Sequence, residues 1–193
     1  MTIAALLVAV VLATVVVLLL TRGTGNAAGS FDRLDLQVPD LRDPAPPTSA
    51  DDPAVAGTRV ALGNGWTVMV HGWDPAATPT LTPLNPSLSP TDEQAMVLID
   101  LEMTYLDGER RSESPFYGVD LAVVGDDGQV VTPADTPCVA SEPAFDIHDP
   151  LDQGSSRRGG ICFVVASEQV DSLMLTAAPS MTPLAQKTWF ELG

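Results

Sequence analysis

Gln94–Leu106, QAMVLIDLEMTYL, alternates for long enough to decide the fold. Val97, Ile99, Leu101, Met103 and Tyr105 fall on one side, and Asp100, Glu102 and Thr104 on the other, which is the period of a half-buried strand. A helix would mix the two sets. At about 11 residues the run is longer than the usual strand of 5 or 6, so it is expected to cross a whole sheet and to pair on both sides. It carries no chemistry of its own.

On either side of it the chain reads as shorter strands. Thr58–Leu62 and Trp66–Trp73 flank Gly63-Asn64-Gly65, a hairpin signal because Gly and Asn tolerate positive φ. Downstream come Tyr117–Val124, the turn Gly125–Gly128, Gln129–Thr132, the short stretch Cys138–Ala140, a second core strand at Gly159–Ala166, then Val170–Thr176 and Lys187–Leu192. Helical periodicity is absent after residue 21. About seven to nine short strands punctuated by Pro and Gly predict an all-β sandwich.

The domain starts, on this reading, near Gly57. Residues 1–21 contain an uncharged run without Gly or Pro from Thr2 to Thr21. At 1.5 Å per residue a helix of roughly 20 residues matches a hydrocarbon core of about 30 Å, so an uncleaved transmembrane anchor is expected. A signal peptide would have a shorter apolar region preceded by positive charge, and no Cys follows the run to serve as a lipid anchor. Residues 22–56 mix Pro39, Pro44, Pro46, Pro47 and Pro53 with Asp, Ser, Thr and Gly. That composition cannot bury enough surface to offset the cost of ordering it, which predicts a disordered tether. Residues 57–193 are then the folded, extracytoplasmic domain. Arg22, Arg33 and Arg42 on the C-terminal side argue for the opposite orientation, but long domains translocate largely regardless of charge.

The chain has 193 residues, 25 of them acidic and 9 basic, for a formal net charge of −16. Such a surface repels nucleic acid and anionic lipid head groups, which excludes a nucleic-acid role.

The order of features, a membrane anchor, a Pro-rich tether, then GTRVALGNGWTVMV, AMVLIDLEMTYLDG, YGVDLAVVGDDGQVV, GGICFVVA and KTWFEL, resembles a telokin-like, immunoglobulin-like domain of unknown function. That family is frequent in actinobacterial cell-envelope proteins and is similar to the mycobacterial secreted immunoprotective antigen. The resemblance implies an immunoglobulin-like β-sandwich outside the membrane and supplies no catalytic residues. This chain departs from it in a long Pro-rich insertion and in lacking the lipidated Cys of some relatives.

Little else points to chemistry. Cys138 and Cys162, an even pair in an exported domain, are expected to form a disulfide; two buried thiols are the alternative. His71 and Met69 share a strand side and are soft enough for copper, although a strand residue beside a core Met is the plainer reading. Asp126-Asp127 and Asp146–Asp152 gather oxygen ligands without the spacing of a calcium loop, and turn-forming Asp accounts for them. No serine elbow or phosphate-binding glycine loop is present, so neither a catalytic residue, a metal centre nor a cofactor is assigned. Arg157-Arg158 reads as a solvated basic spot. The insertion from Asp74 to Glu93 is the best candidate for partner contact, through Pro79, Leu81, Pro83, Leu84, Pro86 and Leu88, since loops on a rigid sandwich carry binding surfaces; a plain mobile loop and O-glycosylation are its rivals. The expected function is therefore a binding or accessory module contacting an envelope protein, with a small-ligand or metal-binding envelope protein as the alternative.

Overall fold

A computed structural model describes residues 44–192 apart from 46, 89, 107–109 and 136. The anchor expected over 1–21 and the tether from 22 to 43 lie outside the described residues. Among the described residues no helix is long and apolar enough to cross a membrane.

The fold is mostly antiparallel β. One four-stranded sheet has the order β1 (Arg59–Ala61), β2 (Trp66–Asp74), β3 (Gln94–Tyr105), β8 (Ser155–Ala166). A second has the order β10 (Thr188–Glu191), β9 (Met174–Pro179), β5 (Val119–Val124), β6 (Val130–Val131). A two-stranded ladder pairs β4 (Ser112–Glu113) with β7 (Leu151–Asp152).

The central strand is β3, the stretch read first. It pairs with β8 along its whole length, from Gln94 opposite Ala166 to Tyr105 opposite Ser155, and with β2 on its other edge. Its odd side chains, Val97, Ile99, Leu101, Met103 and Tyr105, are almost completely buried. They join Val68 and Val70 of β2 and Phe163 and Val165 of β8 in a cluster that also takes Leu121, Val123, Leu175 and Phe190 from the second sheet. The two sheets therefore share one apolar core. Trp66 stacks on Tyr105 with centroids 4.8 Å apart and donates its indole N–H to Glu113 at 3.0 Å.

The even side chains of β3 lie on the outer side, and there the structure differs from the sequence reading. The insertion after β2 folds into a short helix, α1 (Thr78–Leu81), followed by a 3-10 turn over Thr82–Leu84. Leu81 and Ala77 are fully buried with Met96 and Cys162, while Leu98 and Leu88 pack against them. The outer side of this end of the sheet is apolar, and the insertion is its cover. One turn of helix is too short to leave a 3.6-residue pattern in the sequence.

Bonded structure also begins before Gly57, inside the stretch expected to be a tether. Ala45 donates to the Arg59 carbonyl at 2.8 Å and accepts from the Ala61 amide at 3.0 Å, which extends the sheet past β1. Ala54 makes the same two-way contact on β10, with Trp189 and Glu191, both at 2.9 Å, and is itself buried. A low apolar content predicts disorder only when the backbone has nowhere to bond; here two strand edges supply the partners. Cys138–Ala140 forms no strand, and the run expected as a strand from Tyr117 begins with a helical turn.

In β8, Gly159 has a packing role. A Cβ there would stand 2.7 Å from the backbone of Ala144 and Phe145, the segment that bonds to the outer edge of β8.

A chain beginning at Gly57 keeps the strands of the core but loses the buried Ala54 and the backbone contacts of Ala45 and Ala54, together with the Thr48 hydroxyl that bonds Trp189. Relative to one beginning at Pro44 it should be less stable by about 2 kcal/mol, given roughly 0.5–1.5 kcal/mol net per hydrogen bond and an opposing entropy of ordering. Urea unfolding of the two chains checks this; equal midpoints would mean the segment adds nothing.

Candidate functional site

Titratable groups gather on the outer side of the first sheet, beyond the helical cover. The register sets Arg59, Met69, Glu102 and Arg158 in one row across β1, β2, β3 and β8. Arg59 reaches over β2 to Glu102, with Nη2 donating to Oε1 at 2.7 Å, and its other terminal nitrogen donates to the Thr104 hydroxyl. Thr104, itself buried, bonds the Ser156 hydroxyl at 2.8 Å. Met69, between Arg59 and Glu102 in the row, is buried. Arg158 makes a two-pronged contact with Asp100, the shorter bond being 2.6 Å.

His71 sits at a bulge. The β2–β3 register shifts between Val70 and Gly72, leaving His71 as the extra residue. Its Nε2 lies 3.3 Å from Glu102 Oε2. Burial pushes the Glu102 carboxyl up, but the hydrogen bonds and positive charge of Arg59, together with His71, outweigh it and hold the group below its usual range. Glu102 is thus an ionised acceptor already spoken for, and His71 is engaged with it rather than free beside Met69. Among the described residues no three His, Cys, Asp or Glu side chains converge as a metal set. The arrangement ties β1, β2, β3 and β8 together.

The two cysteines do meet. Cys138 and Cys162 form a disulfide with Cα atoms 5.7 Å apart, tying the chain after β6 to β8. Of the insertion residues expected to contact a partner, Leu81 is fully buried and Leu88 is half-buried beneath the cover, so neither presents a surface. Pro79, Pro83, Leu84 and Pro86 remain exposed. Asn85 locks the insertion down: its side chain donates to the Leu81 and Val139 carbonyls at 2.9 Å and accepts the Val139 amide at 2.6 Å. His148 packs on Phe116, whereas His71 faces Glu102. Asp127 and Asp146 accept backbone amides two residues on, the turn role expected of them. Arg157 pairs with Asp149 at 2.7 Å.

Two surfaces were not visible in the sequence reading. One is aromatic: α2 (Pro115–Gly118), capped by the Ser114 hydroxyl, presents Phe116 and Tyr117, which are 48% and 70% exposed. Phe116 lies edge-on to Tyr117 at 5.2 Å and against His148 at 4.6 Å. A cavity of about 320 Å³ opens beside Phe116, with Ile147, Leu121 and Lys187 among its walls. Ser-Pro, a cap followed by Pro at the first helical position, was the signal for this turn.

The other surface is larger. A cavity of about 970 Å³ runs between the free edges of the two sheets, with Val164–Glu168 from β8 and beyond on one wall and Gln129–Val131 at β6 on the other. Glu93, Asp135 and Glu168 line it, and among the described residues no Lys or Arg does.

No known family's sequence profile matches this chain, and no curated protein does. Among solved structures it is similar to a conserved hypothetical protein from Bacillus anthracis, at 10% identity over 72% of this chain and 95% of that one, with a TM-score of 0.41. It is likewise similar to the yjhA protein from Bacillus subtilis, at 12% identity over 72% of this chain and 99% of that one, with a TM-score of 0.43.

Glu102→Gln should destabilise the protein by about 1–3 kcal/mol at neutral pH, since it removes a charge-assisted acceptor from a nearly buried guanidinium. A carboxyl whose folded pKa lies below its unfolded value of about 4.3 contributes fully above that value. The contribution is lost as pH falls through the folded pKa. The gap between wild type and Glu102→Gln should therefore close on acidification, as measured by urea unfolding from pH 7 down to pH 3; a constant gap would show that the charge is not what matters.

Proposed function

We propose that this protein is a membrane-anchored, extracytoplasmic β-sandwich of the immunoglobulin-like kind that works as a binding or accessory module in the cell envelope. The observation that carries the reading is the Cys138–Cys162 disulfide. Cytosolic thiols are normally kept reduced, so an oxidised structural pair fits a domain outside the membrane. The uncharged run from Thr2 to Thr21 supplies the anchor in this reading, and two four-stranded antiparallel sheets around one core fit the sandwich.

Binding rather than catalysis is favoured by how the polar groups are spent. Among the described residues the network of ionisable side chains around Glu102 is paired within itself. Open surfaces among the described residues include a cavity between strand edges and a pair of exposed aromatics, features suited to contact with other molecules. A copper site built on His71 and Met69 is not carried forward, because the imidazole faces Glu102 and the thioether is buried.

Thiol labelling of protein taken from intact cells, denatured without reductant, tests the placement. Neither cysteine should react until a reductant is added; full labelling of both would remove the support for an extracytoplasmic domain. Crosslinking in intact envelopes tests the role, with a discrete partner band expected and an uncrosslinked chain contradicting it.

A further inference from the structure

The two sheets have two open sides, and the chain treats them differently. Where β1 and β10 lie at the edge, its own segment 45–54 bonds to both through Ala45 and Ala54. Where β8 and β6 lie at the edge, there is the cavity of about 970 Å³. On that side β8 is covered only in part. Gly160 donates its N–H to Pro143 at 2.8 Å and accepts from Phe145 at 2.9 Å, so the backbone groups of Gly160 point away from β3. The period of two makes those of Cys162, Val164 and Ala166 point the same way. Beyond Gly160 no described residue bonds to them. An unpaired run of this kind is a template for another strand.

We propose that the Val164–Ala166 edge of β8 takes up an extended, basic peptide segment of a partner protein as an added strand. The proposal deepens the binding-module reading and rests on it. The hydrogen-bonding edge supplies affinity without regard to side chains, and the cavity walls supply the selection. Alternate residues of the added strand would point between the sheets toward Val130 and Val131, which favours apolar side chains there. Glu93, Glu168 and Asp135 favour Lys or Arg near its ends. The Thr132 amide and hydroxyl hold the Asp135 carboxyl below its ordinary range, keeping that charge in place. A second copy of this chain, with a formal net charge of −16, is repelled by the same carboxylates.

The test uses full-length protein in detergent micelles and, as probe, a blocked peptide of nine residues alternating Val and Lys, with binding read by calorimetry and by residue-resolved amide exchange. Saturable binding below about 1 mM is expected. It should weaken at least about tenfold when Glu replaces Lys in the peptide, and by a similar factor when alternate peptide amides are N-methylated. Val164→Pro removes an N–H that faces away from the ladder, which an edge strand tolerates, and should weaken binding about tenfold with the fold retained. The paired exposed changes Glu93→Lys and Glu168→Lys should do the same independently of any effect of proline on folding. The Val164 amide should slow its exchange when peptide is added. No saturable binding, binding indifferent to N-methylation and to both sets of variants, or an edge already filled by residues 1–43 or by a second copy would each overturn the proposal. Partner crosslinks that persist in intact envelopes when peptide binding fails would remove this edge as the site and leave the binding-module reading standing; loss of the crosslinks as well would remove both.

Discussion

Everything in this structure depends on β3 being paired on both edges, with β8 along all 12 of its residues and with β2 from Leu98 to Tyr105. Once both edges are bonded, the strand can offer only its two sides, and every side chain is committed to one or the other by parity. The odd residues then have to be apolar and the even ones have to find separate solutions. Two solutions appear along the same strand. At the Met96 and Leu98 end a helical turn and a disulfide lie over the sheet, and at the Glu102 and Thr104 end Arg59 and His71 satisfy the carboxylate and hydroxyl directly. A slip of one residue would put Glu102 into the core and Ile99 into solvent, so the register is strongly fixed.

The outer network shows why a dense group of charges need not be a reactive site. Glu102 accepts from Arg59 and faces His71, Arg158 is held by Asp100, and Thr104 bonds Ser156. Each partner reduces the freedom of the others to take up a ligand. Among the described residues the outward backbone groups of β8 at Cys162, Val164 and Ala166 are left without such partners, and that contrast links the energetics of the fold to its proposed use as a binding surface.

The sequence made the strands of the core legible because alternation is a local signal. Val97 to Tyr105, the Gly63–Gly65 and Gly125–Gly128 turns and the KTWFEL strand were all readable from composition and period. Leu81, Leu88 and the docking of Ala45 and Ala54 were not. Leu81 looks like an isolated apolar residue in a proline-rich insertion until Met96 and Cys162 are placed beneath it. Ala45 and Ala54 bond through their backbones, which carry no side-chain signature at all. The Glu102 network was hidden for a related reason: Arg59, His71 and Glu102 are 12 to 43 positions apart along the chain, and only the strand register brings them together.

Residue-resolved amide hydrogen exchange of the unliganded protein tests the central claim, that one side between the sheets is closed by residues 45–54 and the other is left unbonded by the described residues. Ala45, Ala54, Ile161, Phe163 and Val165 should be protected by their backbone bonds, while Cys162 and Val164, alternating with them on β8, should exchange much faster. Uniform protection along β8, or rapid exchange at Ala45 and Ala54, would contradict it.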